Sequence, residues 1–556
     1  MGAEIAGTGR RLKLKLLAAA GGALLIAAAP APSVAPASVE TPSAHRVRAH
    51  VEFLADDLLE GRGTGSRGHE IAAAYVASQF RSMGLEPDGE NGSWYQWVPM
   101  RRASLVAGKT SVSITVAGKT TPVSDTDFGV RPSLAEKVRA FDAGLVFVGY
   151  GISDPQLGMD DYRGLDVRGK IVVAFRGTPE GLPSDVAAHL GAYKGRMAAA
   201  KGAVGILEIG AQPGSNAAAS NPQSLNSTDP ITGWVDPSGK VSGSGLRATL
   251  VVSRPMAARM FEGAPKTLDA VRAEAAKKGA RPKGFALVPT LSIKSEAAWN
   301  DFRSPEVIGR LPGADPKLNA ENVILMGHLD HLGVKASAAA NDDRIYNGAI
   351  DNGAGVATLL EAARQFVDSG QKPRRSVLFI ANTGEELGLL GADYYARHPT
   401  VPINKIAAVV DLDMPIPLYD FTDVTAFGAE HSTVARDVAE AARSMNVTVG
   451  PDPMPAEAIF VRSDHYRFVE RGVPAILLMT GYGNGGRAVW ERWLTTVYHS
   501  PKDDLNQPIR WNALARYADL NYRISRTLAD ADARPRWYKG SYFGNLFAPA
   551  QPKADR

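Results

Sequence analysis

Seven side chains of this 556-residue sequence have the types and spacing that hold metal ions and move protons. His328 and Asp330 stand in Gly327-His328-Leu329-Asp330, and Asp351 stands in Ala349-Ile350-Asp351-Asn352-Gly353-Ala354-Gly355. Glu385 and Glu386 are adjacent, Asp413 follows a strand-like run, and His499 falls in a late loop. Two imidazoles among several carboxylates make a borderline-to-hard donor set, suited to zinc, and also to cobalt or manganese, rather than to copper(I) or an iron–sulfur cluster. The short spacing from 328 to 330 lets a carboxylate sit behind a ligating imidazole and fix its tautomer, so Asp330 reads as support and not as a ligand. Asp351 either caps the helix after it or bridges two cations. Adjacent side chains at a strand end point in different directions, so one of Glu385 and Glu386 can bind metal while the other faces the water. A carboxylate so placed takes a proton from water attacking a carbonyl and returns it to the leaving amine. A solvated acidic pair is the plain alternative.

These residues need elements to bring them together. From Asn322 onward, apolar runs at 323–326, 377–381, 406–412 and 475–479 alternate with helical patterns at 355–366, at 388–397 and in a segment ending near Gly472. Such alternation implies an α/β domain with a mainly parallel, mixed central sheet and helices on both faces. In sheets of this kind, sites sit beyond the carboxyl ends of the strands, where all seven residues fall. Upstream, 46–60 and 69–83 read as helices, Gly84 is placed to stop the second, and 103–123 reads as strands rich in Val, Thr and Ser. Between 143 and 288, short buried strands at 145–148, 171–175 and 204–209 alternate with Gly, Ser, Asn and Pro-rich stretches such as 212–233. That region holds no catalytic group beyond paired acids such as Asp160 and Asp161.

Six ordered motifs carry a family resemblance: Gly327-His328-Leu329-Asp330-His331-Leu332-Gly333, the stretch around Asp351, Asn382-Thr383-Gly384-Glu385-Glu386-Leu387-Gly388, Asp411-Leu412-Asp413-Met414, Ser463-Asp464-His465 and Tyr498-His499-Ser500-Pro501. They resemble the co-catalytic zinc exopeptidases, a family holding bacterial leucyl-type aminopeptidases, glutamate carboxypeptidase and the transferrin-receptor ectodomain. The resemblance implies two zinc ions, one held by His328 and Asp413 and the other by Glu386 and His499, with Asp351 bridging them. It implies Glu385 as general base acting on a water between the metals, Asp330 and Asp503 as partners of His328 and His499, and Tyr498 as a hydrogen-bond donor to the developing oxyanion. Val148-Gly149-Tyr150-Gly151 and Gly169-Lys170-Ile171-Val172-Val173 resemble the β-rich protease-associated domain inserted in many members. Asp411 departs from the pattern, which more often has an amide there, and adds a carboxylate near the metals.

The expected division is 1–37 as signal peptide and processing region, 38–142 as the first part of the peptidase domain, 143–288 as the insert and 289–556 as the catalytic domain. Arg10, Arg11, Lys13 and Lys15 before an apolar run at 16–29 have a signal peptide's layout, with an uncleaved anchor as the alternative. That layout predicts export to the periplasm or beyond, by the general secretory rather than the twin-arginine route, and no stable membrane span after processing. A net charge of +4, with both signs mixed, excludes a nucleic-acid face, and the absence of cysteine excludes disulfides and thiolate chemistry. Ser463 lacks the flanking glycines of a serine nucleophile elbow and reads as scaffolding. The function expected is an aminopeptidase acting on peptides or small peptide-like substrates. A carboxypeptidase, a dipeptidase or a glutaminyl cyclase on the same cage are the related alternatives, and a receptor-like binding module is the non-catalytic one.

Overall fold

The first elements form where capping chemistry and apolar spacing agree. Thr41 caps helix α1 (Pro42–Leu54) by accepting from the Ala44 amide, and Ser66 caps α2 (Arg67–Met83) by accepting from the His69 amide. Gly84 ends α2 at φ 81°, a left-handed conformation that glycine adopts without cost. The helix expected over 46–60 is displaced, because the Thr41 cap starts it earlier and Asp57–Arg62 turns off as a separate 3-10 segment. This computed structural model describes residues 39–211, 229–335 and 342–556, so the leader expected over 1–37 and most of the 212–233 stretch lie outside the described residues.

The central sheet is built on β1 (Tyr95–Leu105), β2 (Phe285–Leu311), β3 (Asn322–His328), β4 (Ser376–Asn382), β5 (Ile406–Asp411), β6 (Asp423–Phe427), β7 (Thr448–Gly450) and β8 (Ala475–Thr480). Their spatial order is β1-β2-β4-β3-β5-β8-β6-β7. The four middle strands β4, β3, β5 and β8 run parallel, and antiparallel pairings flank them, giving the mixed sheet expected. Every residue of those four strands is buried, which explains why they read as unbroken apolar runs. Helices α1, α3 (Gly355–Asp368), α5 (Val434–Ser444) and α7 (Trp511–Asp530) form one packed group, and α4 (Leu390–Arg397) and α6 (His465–Val469) form another.

A second sheet grows from the first half of β2. Its order is Lys119–Val123, Ser111–Val116, β2, Val138–Phe147, Ile171–Phe175, Gly205–Ile209, Ala248–Val252 and Phe128–Val130. Residues 285–296 of β2 pair in this sheet, while 297–307 pair with β1 and 307–311 with β4. One continuous strand therefore carries the chain through position 288, and the strands at 111–130 share the second sheet with those beyond 143. Among the described residues no helix is long and apolar enough to cross a membrane.

Candidate active site

The carboxyl ends of β3, β4 and β5 converge on one cluster, largely buried except at His499. His328 is the last residue of β3, Glu385 and Glu386 follow β4, Asp413 lies two residues past β5, Asp351 sits in the turn before α3, and His499 reaches in from the loop ahead of α7. Asp351 joins the halves: its Oδ1 lies 3.2 Å from His328 Nε2 and its Oδ2 3.3 Å from His499 Nε2. His328 Nε2 is also 3.2 Å from Asp413 Oδ1, and His499 Nε2 is 3.3 Å from Glu386 Oε2. Two ligands each about 2.0–2.1 Å from a tetrahedral zinc stand about 3.3 Å apart, so these separations fit the edges of two coordination polyhedra that share Asp351.

The charge balance fits cations as well. Burial works against ionisation of Asp351, but the hydrogen bonds with His328 and His499 outweigh it and hold this carboxyl well below the usual carboxylate range. Burial would lower His328 too, yet Asp413 and Asp351 raise it well above an ordinary histidine. The remaining acids move the other way. Burial, with Asp351 nearby, pushes Glu386 up to about 8, and burial beside Asp413, Asp464 and Glu386 raises Glu385 well above the usual range. Carboxylates in surplus over imidazoles in a dry site retain protons until cations replace them.

Surrounding contacts fix the donors. His328 Nδ1 lies 3.0 Å from the backbone carbonyl of Asp330, which leaves Nε2 facing the cluster. Asp330 thus supports His328 through its main chain and not through its carboxylate. That carboxylate accepts from Thr64 Oγ1 at 2.7 Å and from the Glu385 amide at 3.3 Å, which orients the general-base candidate. Asp503 also differs from expectation: its two oxygens accept from the amides of Ile350 and Asp351, both at 2.9 Å, so it shapes the Asp351 turn rather than His499. Gly355 is required in that turn, since a Cβ would lie 2.0 Å from Asn352 Oδ1 and 2.1 Å from Leu412 O. Ser463 Oγ reaches Asp411 and Asp413, and His465 donates its amide to Asp411, so the extra acid at 411 organises the 463–465 segment. Tyr498 stacks on His499 with centroids 3.8 Å apart and lines a cavity of about 310 Å³. That cavity opens onto Asp351, Glu385 and Asp413, and its walls are apolar at Met414, Ile459, Leu477, Met479, Trp490 and Leu494.

Two site residues escaped the sequence reading. His331 Nδ1 lies 2.6 Å from Glu386 Oε1, leaving Oε2 toward His499 and Asp351. Its signal was present, because His331 stands inside the Gly327–Gly333 motif. Arg62, fully buried, donates to the carbonyls of Leu329, Asn347, Gly348 and Leu54 and so ties α1, the 329 loop and the turn before Asp351 together. Its one signal is the glycine-rich setting Gly61-Arg62-Gly63-Thr64-Gly65.

Residues 306–525 match the family model described as Peptidase family M28, in line with the resemblance read from the six motifs. A vacuolar membrane protease of Candida glabrata is 33% identical over 100 residues, 18% of this chain and 9% of that protein. Probable leucine aminopeptidase 2 of Aspergillus oryzae is 28% identical over 183 residues, 32% of this chain and 33% of that protein. The match spans less than two thirds of either relative. Among solved structures, an aminopeptidase from Aneurinibacillus sp. strain AM-1 aligns over 88% of this chain and 95% of its own, with 22% identity and a TM-score of 0.47. The zinc aminopeptidase BSAP of Bacillus subtilis aligns over 86% and 94%, with 18% identity and a TM-score of 0.40. The expected periplasmic or extracellular location is corrected by these relatives, several of which are named for a vacuolar membrane. A basic segment followed by an apolar run is common to cleaved leaders and membrane anchors, so that pattern does not by itself fix a compartment.

Proposed function

We propose that the protein, whose residues 306–525 match the model of Peptidase family M28, is a zinc-dependent exopeptidase that removes single residues from free amino ends of peptides. The observation that carries this reading is Asp351, whose two oxygens face two different imidazoles at 3.2 and 3.3 Å. On this reading, His328 and Asp413 would hold one zinc ion, Glu386 and His499 would hold a second, and Asp351 would serve both. Zinc there supplies Lewis acidity, lowering the pKa of water and polarising a carbonyl oxygen. Glu385, with its amide fixed by Asp330, takes the proton from the attacking water and delivers it to the leaving amine. Tyr498, stacked on His499 at the cavity mouth, donates to the oxygen on which charge develops. The apolar cavity accepts the side chain of the residue being released, and the second sheet serves as a protease-associated insert without catalytic groups.

Metal content and turnover test this together. The zinc-loaded protein should contain two metals per chain and hydrolyse leucine amide. Glu385→Ala should keep both metals and lose about a hundredfold or more in rate. Acetylating the substrate's amine should abolish hydrolysis; equal rates on free and acetylated substrates would refute the aminopeptidase reading. A protein that takes up no metal and turns over no amide would favour a binding module, and a Glu385→Ala variant as active as wild type would remove Glu385 as the base.

A further inference from the structure

A second cavity, about 460 Å³, reaches the cluster from another side and shares Glu386 and His331 with it. Its far wall is set by strand register. In the antiparallel β1–β2 pair Asn300 lies opposite Arg102 and Phe302 opposite Met100, which puts Arg102, Asn300 and Phe302 on one face. Arg102 and its neighbour Arg101 are used very differently. Arg101 makes two hydrogen bonds to Asp301, at 2.7 and 2.8 Å, and stacks on Trp299 at 3.7 Å. Arg102 is half-buried, its guanidinium lies 5.3 Å from the Phe302 ring, and its side chain makes no hydrogen bond or ion pair among the described residues. Glu60 is the one carboxylate on this cavity's wall besides Glu386, and it stands on the loop side without pairing to Arg102.

An unpaired guanidinium lining a cavity is free to take an anionic ligand, and its planar fork matches a carboxylate. Resting on the exopeptidase reading, we propose that this second cavity receives the leaving part of the substrate, and that Arg102 binds the free carboxylate at its end. The substrates are then short peptides, di- and tripeptides, whose first side chain enters the apolar cavity and whose carboxyl end reaches Arg102. Phe302 and Leu387 supply apolar contact for the residue between, and Asn300 offers an amide beside the guanidinium.

Binding measured without turnover tests this. Leu-Leu and Leu-Leu amide are titrated calorimetrically into zinc-loaded Glu385→Ala protein, alone and with Arg102→Gln or Arg102→Lys added. The expected result is binding of the acid at least about tenfold tighter than the amide, a preference lost with Arg102→Gln and partly kept with Arg102→Lys. Equal affinity for acid and amide, or a preference that survives Arg102→Gln, overturns the proposal. Leucine amide hydrolysis by the protein with Glu385 intact separates the two readings. Turnover with no acid preference removes only the Arg102 assignment, whereas acid-selective binding with no turnover of any amide removes the peptidase and the leaving-part role and leaves Arg102 as a carboxylate site.

Discussion

Replacing Asp503 by Asn should weaken zinc binding although Asp503 touches neither imidazole of the cluster. Its carboxylate accepts the amides of Ile350 and Asp351, each at 2.9 Å, in a fully buried setting. An asparagine can turn its single carbonyl oxygen to one amide, leaving the other facing an NH2 group. The loss is one hydrogen bond to a charged acceptor, about 1.5–3 kcal/mol, with a buried N–H left unsatisfied. Because that amide belongs to Asp351 or its neighbour, the cost falls on presenting the carboxylate that faces both His328 and His499. If all of it is felt there, zinc affinity drops about 10- to 150-fold. Burial pushes Asp503 up to about 7, so the contrast is largest at pH 8.5, where the wild-type group is ionised, and shrinks below pH 7, where Asp503 is itself neutral. Competition against a chelating dye measures the affinity, with Asp504→Asn, whose carboxylate accepts from Asn506 and not from the 350–351 amides, as control. Zinc affinity within threefold of wild type at pH 8.5 would refute the reasoning, whatever happens to the melting temperature.

Loading the metal-free protein with zinc at pH 7 should release at least one proton per chain, because Glu386, held at about 8 by burial and Asp351, must lose its proton to become a ligand. Affinity should therefore rise with pH up to about 8, and calorimetry in buffers of different ionisation enthalpy would count the protons; no release would contradict the arrangement. His50 is buried and lowered to about 4, so the folded state binds its proton less readily than the unfolded chain, whose histidine titrates near 6.5. That contribution is complete above pH 6.5 and lost as pH falls toward 4, about 3 kcal/mol in all, and His50→Phe should flatten that limb of the stability profile in urea melts.

The sequence and the tertiary structure contributed different parts. The central sheet was legible because strands covered on both faces are apolar at nearly every position, which leaves the runs read at 323–326, 377–381, 406–412 and 475–479 inside the buried strands. The cluster residues were legible because metal ligands and bases must be His, Asp and Glu and must lie just past such runs. Side-chain direction was not legible from the sequence. The two-residue spacing of His328 and Asp330 suggested a carboxylate behind the imidazole, but the chain bends so that the Asp330 carbonyl takes that place and its carboxylate goes to Thr64 and Glu385. Asp503 similarly closes on the 350–351 amides because of a contact across about 150 residues that no local pattern encodes. Arg62, which the sequence reading passed over, gains its place only in the fold, which surrounds it with four carbonyls drawn from three segments. The run of β2 from one sheet into the other was not read from the sequence, and its in-out alternation over 287–297 gives way to unbroken burial at 304–309, where β1 and β4 are the partners. Residue chemistry and strand periodicity are local properties and can be read from the sequence, whereas which oxygen meets which donor depends on long-range packing and is decided only in three dimensions.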